Sequence, residues 1–423
     1  SFDDLSIQIN LGPDGGSTID YLASFGEDGL TVGSSGLIVF DYTSSKIGVY
    51  AGNATLAIGD FAYFSGAIGF EKASYGNTLR NGPLASNVVT NAKGFSIGGD
   101  GITAFVGYAD GGIDRTKTLA EQADSLYGLG ADDISFGYLN VKDTAGVSYE
   151  ALKADISELA VYGFDTDDFQ LSAKDISIEM NRSSGLLALD FTTTSLEVPT
   201  GGDPITFDFS GKHFGVYIGE ATLTISQFVY VRGSIAFEQG SFGNTLRDTN
   251  GLPILNAEGF TIGGSDIDVF VGYAAEGLDL DVSFAEQADD LYGFGAENVD
   301  FGLVKLKLGE AKYTALRASA DTIAVYGLDP DDFQLSISGA EINLNTSSGG
   351  LPPIDWLSSF SETQGFEVPT GGDPVLIDLA GDIIGISVDE AIIQISEFVY
   401  LQGSFAFTKG GSSEISVTTV GGV

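Results

Sequence analysis

Cysteine is absent from the 423 residues. That one absence excludes disulfides, thiol nucleophiles, thiolate zinc sites and iron–sulfur clusters. Histidine occurs once, as His213 in the segment GKHFG. A metal centre built from several imidazoles is therefore excluded, and a Ser-His-Asp triad has little support. The segments that correspond to GKHFG elsewhere in the chain hold Lys46-Ile47 and Asp382-Ile383, so His213 reads as a surface residue rather than a catalyst. Basic residues are scarce, with 18 Lys and Arg against 59 Asp and Glu and a net charge of −41. Such a chain repels nucleic acid and anionic lipid and attracts divalent cations. No window reaches the run of roughly 18 apolar residues that a membrane helix needs. The first ten residues carry two acids and no basic stretch, so no signal peptide is expected. Proline is rare at 10 residues while glycine reaches 59, a balance that suits tight turns and not collagen.

Strong acidity alone can signal disorder, but 43% hydrophobic content with 29 Phe and 17 Tyr argues for a folded protein. Residues 221–237 read ATLTISQFVYVRGSIAF, and the chain says this three times. The other copies are ATLAIGDFAYFSGAIGF at 54–70 and AIIQISEFVYLQGSFAF at 391–407. Apolar side chains alternate with Thr and Ser, the pattern of a strand that buries one face. Leu223, Ile225, Val229, Ile235 and Phe237, with Phe70 and Phe407 as equivalents, are expected in the core, and Gly233 marks a bend.

Phe61 precedes Phe228 by 167 residues, and Phe228 precedes Phe398 by 170. The chain is a tandem repeat. Residues 1–31 read as the end of a preceding repeat, 32–197 as repeat one, 198–367 as repeat two and 368–423 as the start of another. It is expected to be a window onto a longer array. VPTGGDP opens repeat two at 198–204 and recurs at 368–374. It is turn chemistry and no phosphate loop, because no Lys-Ser/Thr and no helix follow. Residues 74–93 and 241–258 share GNTLR and otherwise diverge, as solvent-facing or partner-facing loops do.

One helix per repeat is expected. Thr118 with Glu121, and Ser283 with Glu286, form capping boxes ahead of EQAD[SD]LYG, which ends at Gly128 or Gly293. The rest of each repeat is strand-like, including DISFGYLNV and VDFGLVKLKL. YEALKAD is ambiguous between helix and strand. The fold expected is all-β: an elongated β-solenoid-like tandem repeat with one short helix per unit, with tandem β-sandwich domains as the alternative.

The most suggestive chemistry is acidic. Asp165, Asp167 and Asp168 recur as Asp329, Asp331 and Asp332, closely spaced hard oxygen ligands of the kind that hold Ca²⁺. The spacing matches neither an EF-hand loop nor the calcium-binding nonapeptide, and a solvated acidic turn explains it as well. Paired carboxylates also cleave glycosides. Here, however, every alignable acid has a copy in the next repeat, so an enzyme is not expected. The order VPTGGDP, FVYxxGSxAF, GFxIGG…FVGYA, VYGxDxDDFQLS and N-x-SSG resembles repeat regions of very large secreted or cell-surface bacterial proteins, adhesin-like or haemolysin-type. The resemblance implies an extracellular scaffold such as a stalk, surface fibre or adhesin arm, and offers no catalytic residue to transfer. Its partners would be other repeats of the same polymer, the cell surface or the extracellular matrix, with no nucleic acid and no transmembrane segment. The rival readings are a carbohydrate- or protein-binding module using loops 74–93 and 241–258, and a β-helical polysaccharide-degrading enzyme using carboxylates.

Overall fold

In a computed structural model of the chain, the described residues are 1–13, 17–33, 38–59, 61–82, 84, 86–165, 168–242, 245–275 and 277–410. The period-two alternation becomes strands throughout: β1 (Phe2–Asn10), β2 (Leu30–Val32), β3 (Ile38–Phe40), β4 (Lys46–Ile58), β5 (Ala62–Gly76), β6 (Ala92–Ala109) and β7 (Leu126–Lys142). There follow β8 (Ser148–Tyr162), β9 (Phe169–Ser183), β10 (Leu196–Val198), β11 (Ile205–Phe207), β12 (His213–Ile225), β13 (Val229–Ser241) and β14 (Glu258–Ala274). The last are β15 (Leu291–Leu308), β16 (Ala311–Tyr326), β17 (Phe333–Ser347), β18 (Phe366–Val368), β19 (Val375–Ile377), β20 (Ile383–Ile395) and β21 (Val399–Gly410). YEALKAD lies inside β8. Fifteen of them form one sheet in the order β1-β4-β5-β6-β7-β8-β9-β12-β13-β14-β15-β16-β17-β20-β21, and the other six make three small hairpins.

The all-β expectation is met. Neither a solenoid nor a second large sheet is found among the described residues. Neighbouring long strands run antiparallel, as in β6 against β7 and β15 against β16, whereas coils of a solenoid stack through parallel strands. Hairpin turns dictate this. Gly309, at φ +59, begins the two-residue Gly-Glu connection between β15 and β16, a link too short for anything but an antiparallel partner.

By internal contacts the chain divides into two units, Ser1–Thr224 with Glu238–Gly240, and Ile225–Phe237 with Ser241–Val423. In the first, the hairpin β10–β11 lies on one sheet face. Gly69, Gly98 and Gly137 stand in register across β5, β6 and β7, and side chains there have no room. A Cβ on Gly98 would come 2.6 Å from the Pro199 carbonyl oxygen, and one on Gly137 would meet Val198 and Phe207 at 3.0–3.1 Å. The glycine column is a bed for the hairpin. The VPTGGDP corner is a turn, closed by Thr200, whose hydroxyl accepts from Gly202 N at 3.0 Å and donates to the Asp203 carbonyl at 2.8 Å. Around it Leu79, Leu139, Val141, Tyr149, Leu189 and Phe207 form the main core. The second unit builds the same core from Leu246, Val304, Leu306, Trp356, Val368 and Ile377. A smaller cluster per unit, with Phe105, Leu119 and Leu126 in one and Phe270, Phe284 and Leu291 in the other, seats the loop before the next strand.

The alternation was legible but the buried face is the other one. Thr222, Thr224, Tyr230, Ser234 and Ala236 are buried, while Ile225 and Ile235 are 45% and 40% exposed and Leu223, Val229 and Phe237 are half-buried. Phe70 and Phe407 are exposed as well. Small and polar side chains let the loops lie close to the strands, so the loops cover that face and leave the branched and aromatic side uncovered.

The expected helices shrink to 3-10 turns, Ala120–Ser125 and Ala288–Asp290. The first capping box forms, with Thr118 N donating to Glu121 Oε2 at 2.9 Å and Glu121 N to Thr118 Oγ1 at 3.2 Å. Gly128 and Gly293 do not end helices; they sit inside β7 and β15. Leu126 and Leu291 are fully buried, and sheet pairing takes over from them onward. Two short α-helices go unforeseen: α1 (Tyr21–Phe25) and α2 (Trp356–Ser359), capped by Asp20 and Asp355.

Candidate functional site

Polar groups of the covered face bind the loops to the sheet. Asn10, Asn181 and Asn345 recur at one place in the repeat, and each amide donates to the chain that leaves the sheet. Asn181 reaches the Leu189 carbonyl at 2.7 Å, and Asn345 the Ile354 and Gly381 carbonyls at 2.7 and 2.8 Å. Asp132 accepts from Leu119 N at 2.7 Å and from Thr103 at 3.2 Å, tying down the loop before β7. Asp100 takes Asp203 N of the corner at 3.0 Å and the Ser135 hydroxyl at 3.0 Å. In the second unit Ser234, Ser265 and Thr370 form a buried hydroxyl chain with links of 2.7 and 3.0 Å. These acids and hydroxyls are engaged in holding structure.

One constellation has more unusual chemistry. His213 is mostly buried and its Nε2 lies 3.4 Å from Glu179, an ion-pair distance without a formed hydrogen bond. Burial opposes the imidazolium most, but Glu179, the Gly211 carbonyl and Glu238 outweigh it and raise the His213 pKa above its ordinary value. Burial raises the Glu238 carboxyl too, with Glu179 adding to the rise and His213 opposing it. Tyr217 is pushed far up by burial and then by Glu238 and Glu179. The surface reading of His213 is thus corrected. The same corner of the preceding repeat holds Lys46 paired with Glu71 at 2.8 Å, and Tyr50 donates to that same Glu71 at 2.8 Å. His213 is a variant of a repeated cation–carboxylate–tyrosine cluster. The recurrence of Tyr50 and Glu71 as Tyr217 and Glu238 was the sequence signal for it.

The acidic turns behave as turns. Asp165 and Asp329 each accept two backbone N–H groups through their carbonyls, from Asp168 and Phe169 at 2.9 and 2.8 Å, and from Asp332 and Phe333 at 2.9 Å each. The Asp329 carboxylate accepts from Asp331 N at 3.0 Å. Asp167 lies outside the described residues. Among the described residues no group of three or more His, Asp or Glu gathers as a metal site. The divergent loops 74–93 and 241–258 are anchored through buried Leu79 and Val89, and Leu246 and Ile254. A cavity of about 150 Å³ opens beside Tyr63, Phe105, Ile113 and Arg115. That is well under the roughly 300–1,000 Å³ of a small-molecule site. Among the described residues no helix is long and apolar enough to cross a membrane.

What stands out is an area. The uncovered face presents Val106 at 68%, Tyr127 at 52% and Leu129 at 49% exposure in the first unit, and Tyr292 and Val271 at 53% and 51% in the second. In the first unit Val106 stands opposite Leu129 and Tyr108 opposite Tyr127, and neighbouring exposed apolar side chains mark interaction surfaces where they form a large patch. Compared with protein families, with curated proteins and with solved structures, the chain matches none.

Proposed function

We propose that the chain is a non-enzymatic structural repeat of the cell surface, in which each repeat adds six long strands to a growing antiparallel sheet. The observation that carries this reading is the recurrence of whole polar clusters. Lys46, Tyr50 and Glu71 return as His213, Tyr217 and Glu238, and the Thr200 corner returns at Thr370 with 2.8 and 3.1 Å hydrogen bonds. An enzyme needs one distinctive site, whereas a scaffold needs the same joints again and again. Growth strand by strand takes the place of coil-on-coil stacking in this proposal, and the divergent loops give each repeat its own rim. Labelling intact, unpermeabilised cells with an antibody raised against the purified chain tests the location. Surface label is expected; label that appears only after permeabilisation overturns the reading.

A further inference from the structure

The uncovered face has an order that a generic sticky patch lacks. In the first unit the strand registers sort it into rows. Phe70, Ile97, Tyr138, Leu152 and Met180 stand opposite one another across β5 to β9. The next rows inward are Phe136, Ala154 and Ile178, then Ile134, Ile156 and Ile176. Beyond them come Leu129 and Val161, with Val106 opposite Leu129, and finally the tyrosine pair Tyr108 and Tyr127.

An irregularity crosses the strands midway, with Asp133 at φ +52 and Gly101 at φ +58. It shifts the alternation by one residue, so buried Leu126 and buried Leu139 belong to the same covered face. Ile102 shows that the opposite face is continuous too. It fills the notch above Gly66 and Gly99 beside Phe136, and from there Ala104, Val106 and Tyr108 follow at every second position. The bulge residue Asp133 is itself satisfied, accepting from Ser157 at 2.9 Å.

Both margins of this band are marked. Tyr108 packs on Tyr127 with ring centroids 6.3 Å apart at one end, and Phe95 bridges Phe70 and Tyr138 at 6.1 Å each at the other. Just past the second margin stand Lys72 and Asn140, in register with Phe95, with Glu150 between Asn140 and Arg182, then Lys93 opposite Lys142, so that cations outnumber the one acid. Arg182 caps the Phe214 ring at 5.9 Å. From Leu129 to Tyr138 is nine residue steps, roughly 30 Å at ~3.3 Å each. Tilted by the ~40° usual for membrane strands, that becomes a band of roughly 23 Å, close to the ~25 Å apolar belt of proteins that face lipid with sheets. The second unit repeats the pattern on its own, with Phe228 on Tyr273 at 5.8 Å, Phe237 on Phe260 at 5.9 Å, and Lys305 in register with Phe260.

We infer that this face lies against the hydrocarbon of a lipid bilayer, with its basic margin at anionic headgroups. An apolar face that met a second protein sheet would not need aromatic rows at both ends and cations beyond one of them; a bilayer supplies interfaces at just those heights. The net charge of −41, which argues against anionic lipid, averages over the loops and the covered face and hides the local sign. A lipid-embedded sheet tolerates no open edge, so β1 and β21 must find strand partners when inserted. The inference does not depend on the scaffold reading: label confined to the cell interior would refute that reading and leave the lipid assay standing.

The test is flotation of the full chain with phosphatidylcholine vesicles, with and without phosphatidylglycerol. The wild type is expected to float, more strongly with the anionic lipid. The double variant Val106→Asp/Leu129→Asp, at exposed positions, should keep the wild-type circular dichroism and melting and lose vesicle binding at least tenfold. Lys72→Glu/Lys142→Glu should abolish the preference for phosphatidylglycerol. As a second measurement, Leu129→Trp should be quenched by chain-brominated lipid while buried Trp356 alone is not. A wild type that stays at the bottom overturns the inference, as does a double variant that floats equally well. So does a lipid-free dimer that the double variant dissociates, because the occupant is then a second copy of the chain.

Discussion

The two faces of the long sheet are built from the same strands and follow opposite rules. On the covered face, glycine, serine, threonine and asparagine let the chain's own loops approach, and large side chains enter mostly from the loops, as Phe191, Phe207 and Phe209 do. On the uncovered face the strands carry their own bulk, with Ile102, Ala154 and Ile176 buried among their neighbours and Val106, Tyr127 and Leu129 exposed. The difference teaches that alternation reports which residues share a face and says nothing of which face is buried. Burial went to the side where backbone could lie on backbone.

Truncation should separate the faces most sharply. Phe207 is fully buried, with Phe191 and Phe209 rings 5.2 and 5.3 Å away. Phe207→Ala is expected to cost about 3–5 kcal/mol in urea unfolding in water. Phe70→Ala, on the uncovered face and stacked on Phe95, should cost about 1 kcal/mol. Equal losses would mean that both faces are core and would end the comparison.

The glycine bed gives the next effect. Gly69→Ala should cost about 1–3 kcal/mol, because the new methyl meets the Pro199 carbonyl oxygen at 2.5 Å. The second repeat has Ala236 at this place, buried at 2%, so its hairpin is seated on a methyl. Ala236→Gly should lose about 1 kcal/mol through chain entropy and lost contact. Matching losses from hydrogen exchange of the two hairpins would show that each repeat has fitted its own bed. An indifferent Gly69→Ala would show that the hairpin floats.

Much of the fold was written in short-range pattern. The strands, the Thr-Gly-Gly corner and the Thr118–Glu121 capping box all rest on local chemistry, and all appear. What was not legible is long-range. The two-residue link at Gly309 was a local signal for antiparallel pairing, but which face the loops cover is set by connections whose path sequence does not show, and the helix ahead of Leu126 yields to sheet because Leu126 is needed in a core built from distant residues. The acid clusters were legible as turns; of the His213 cluster only the recurring Tyr217 and Glu238 were legible, since Glu179 and Glu238 reach it from β9 and β13, 34 positions before and 25 after it.

That cluster offers the smallest effect and a test within the repeat. The raised His213 pKa means that the folded state holds the proton more tightly than the unfolded chain. Its contribution is therefore complete below the ordinary histidine value of 6.5 and fades as pH rises through the folded value. Glu238, also raised, acts in the same direction over a window that begins at its ordinary 4.5. Stability of the wild type should accordingly decline from about pH 5 towards pH 8 through the contribution of this site. His213→Lys restores the cation that Lys46 provides beside Glu71, and keeps its charge throughout this range. Urea midpoints of the variant between pH 6.5 and 8 should be flatter than those of the wild type, and His213→Gln should remove the slope while lowering stability at pH 6. A wild-type slope that survives both substitutions would place the titrating group elsewhere.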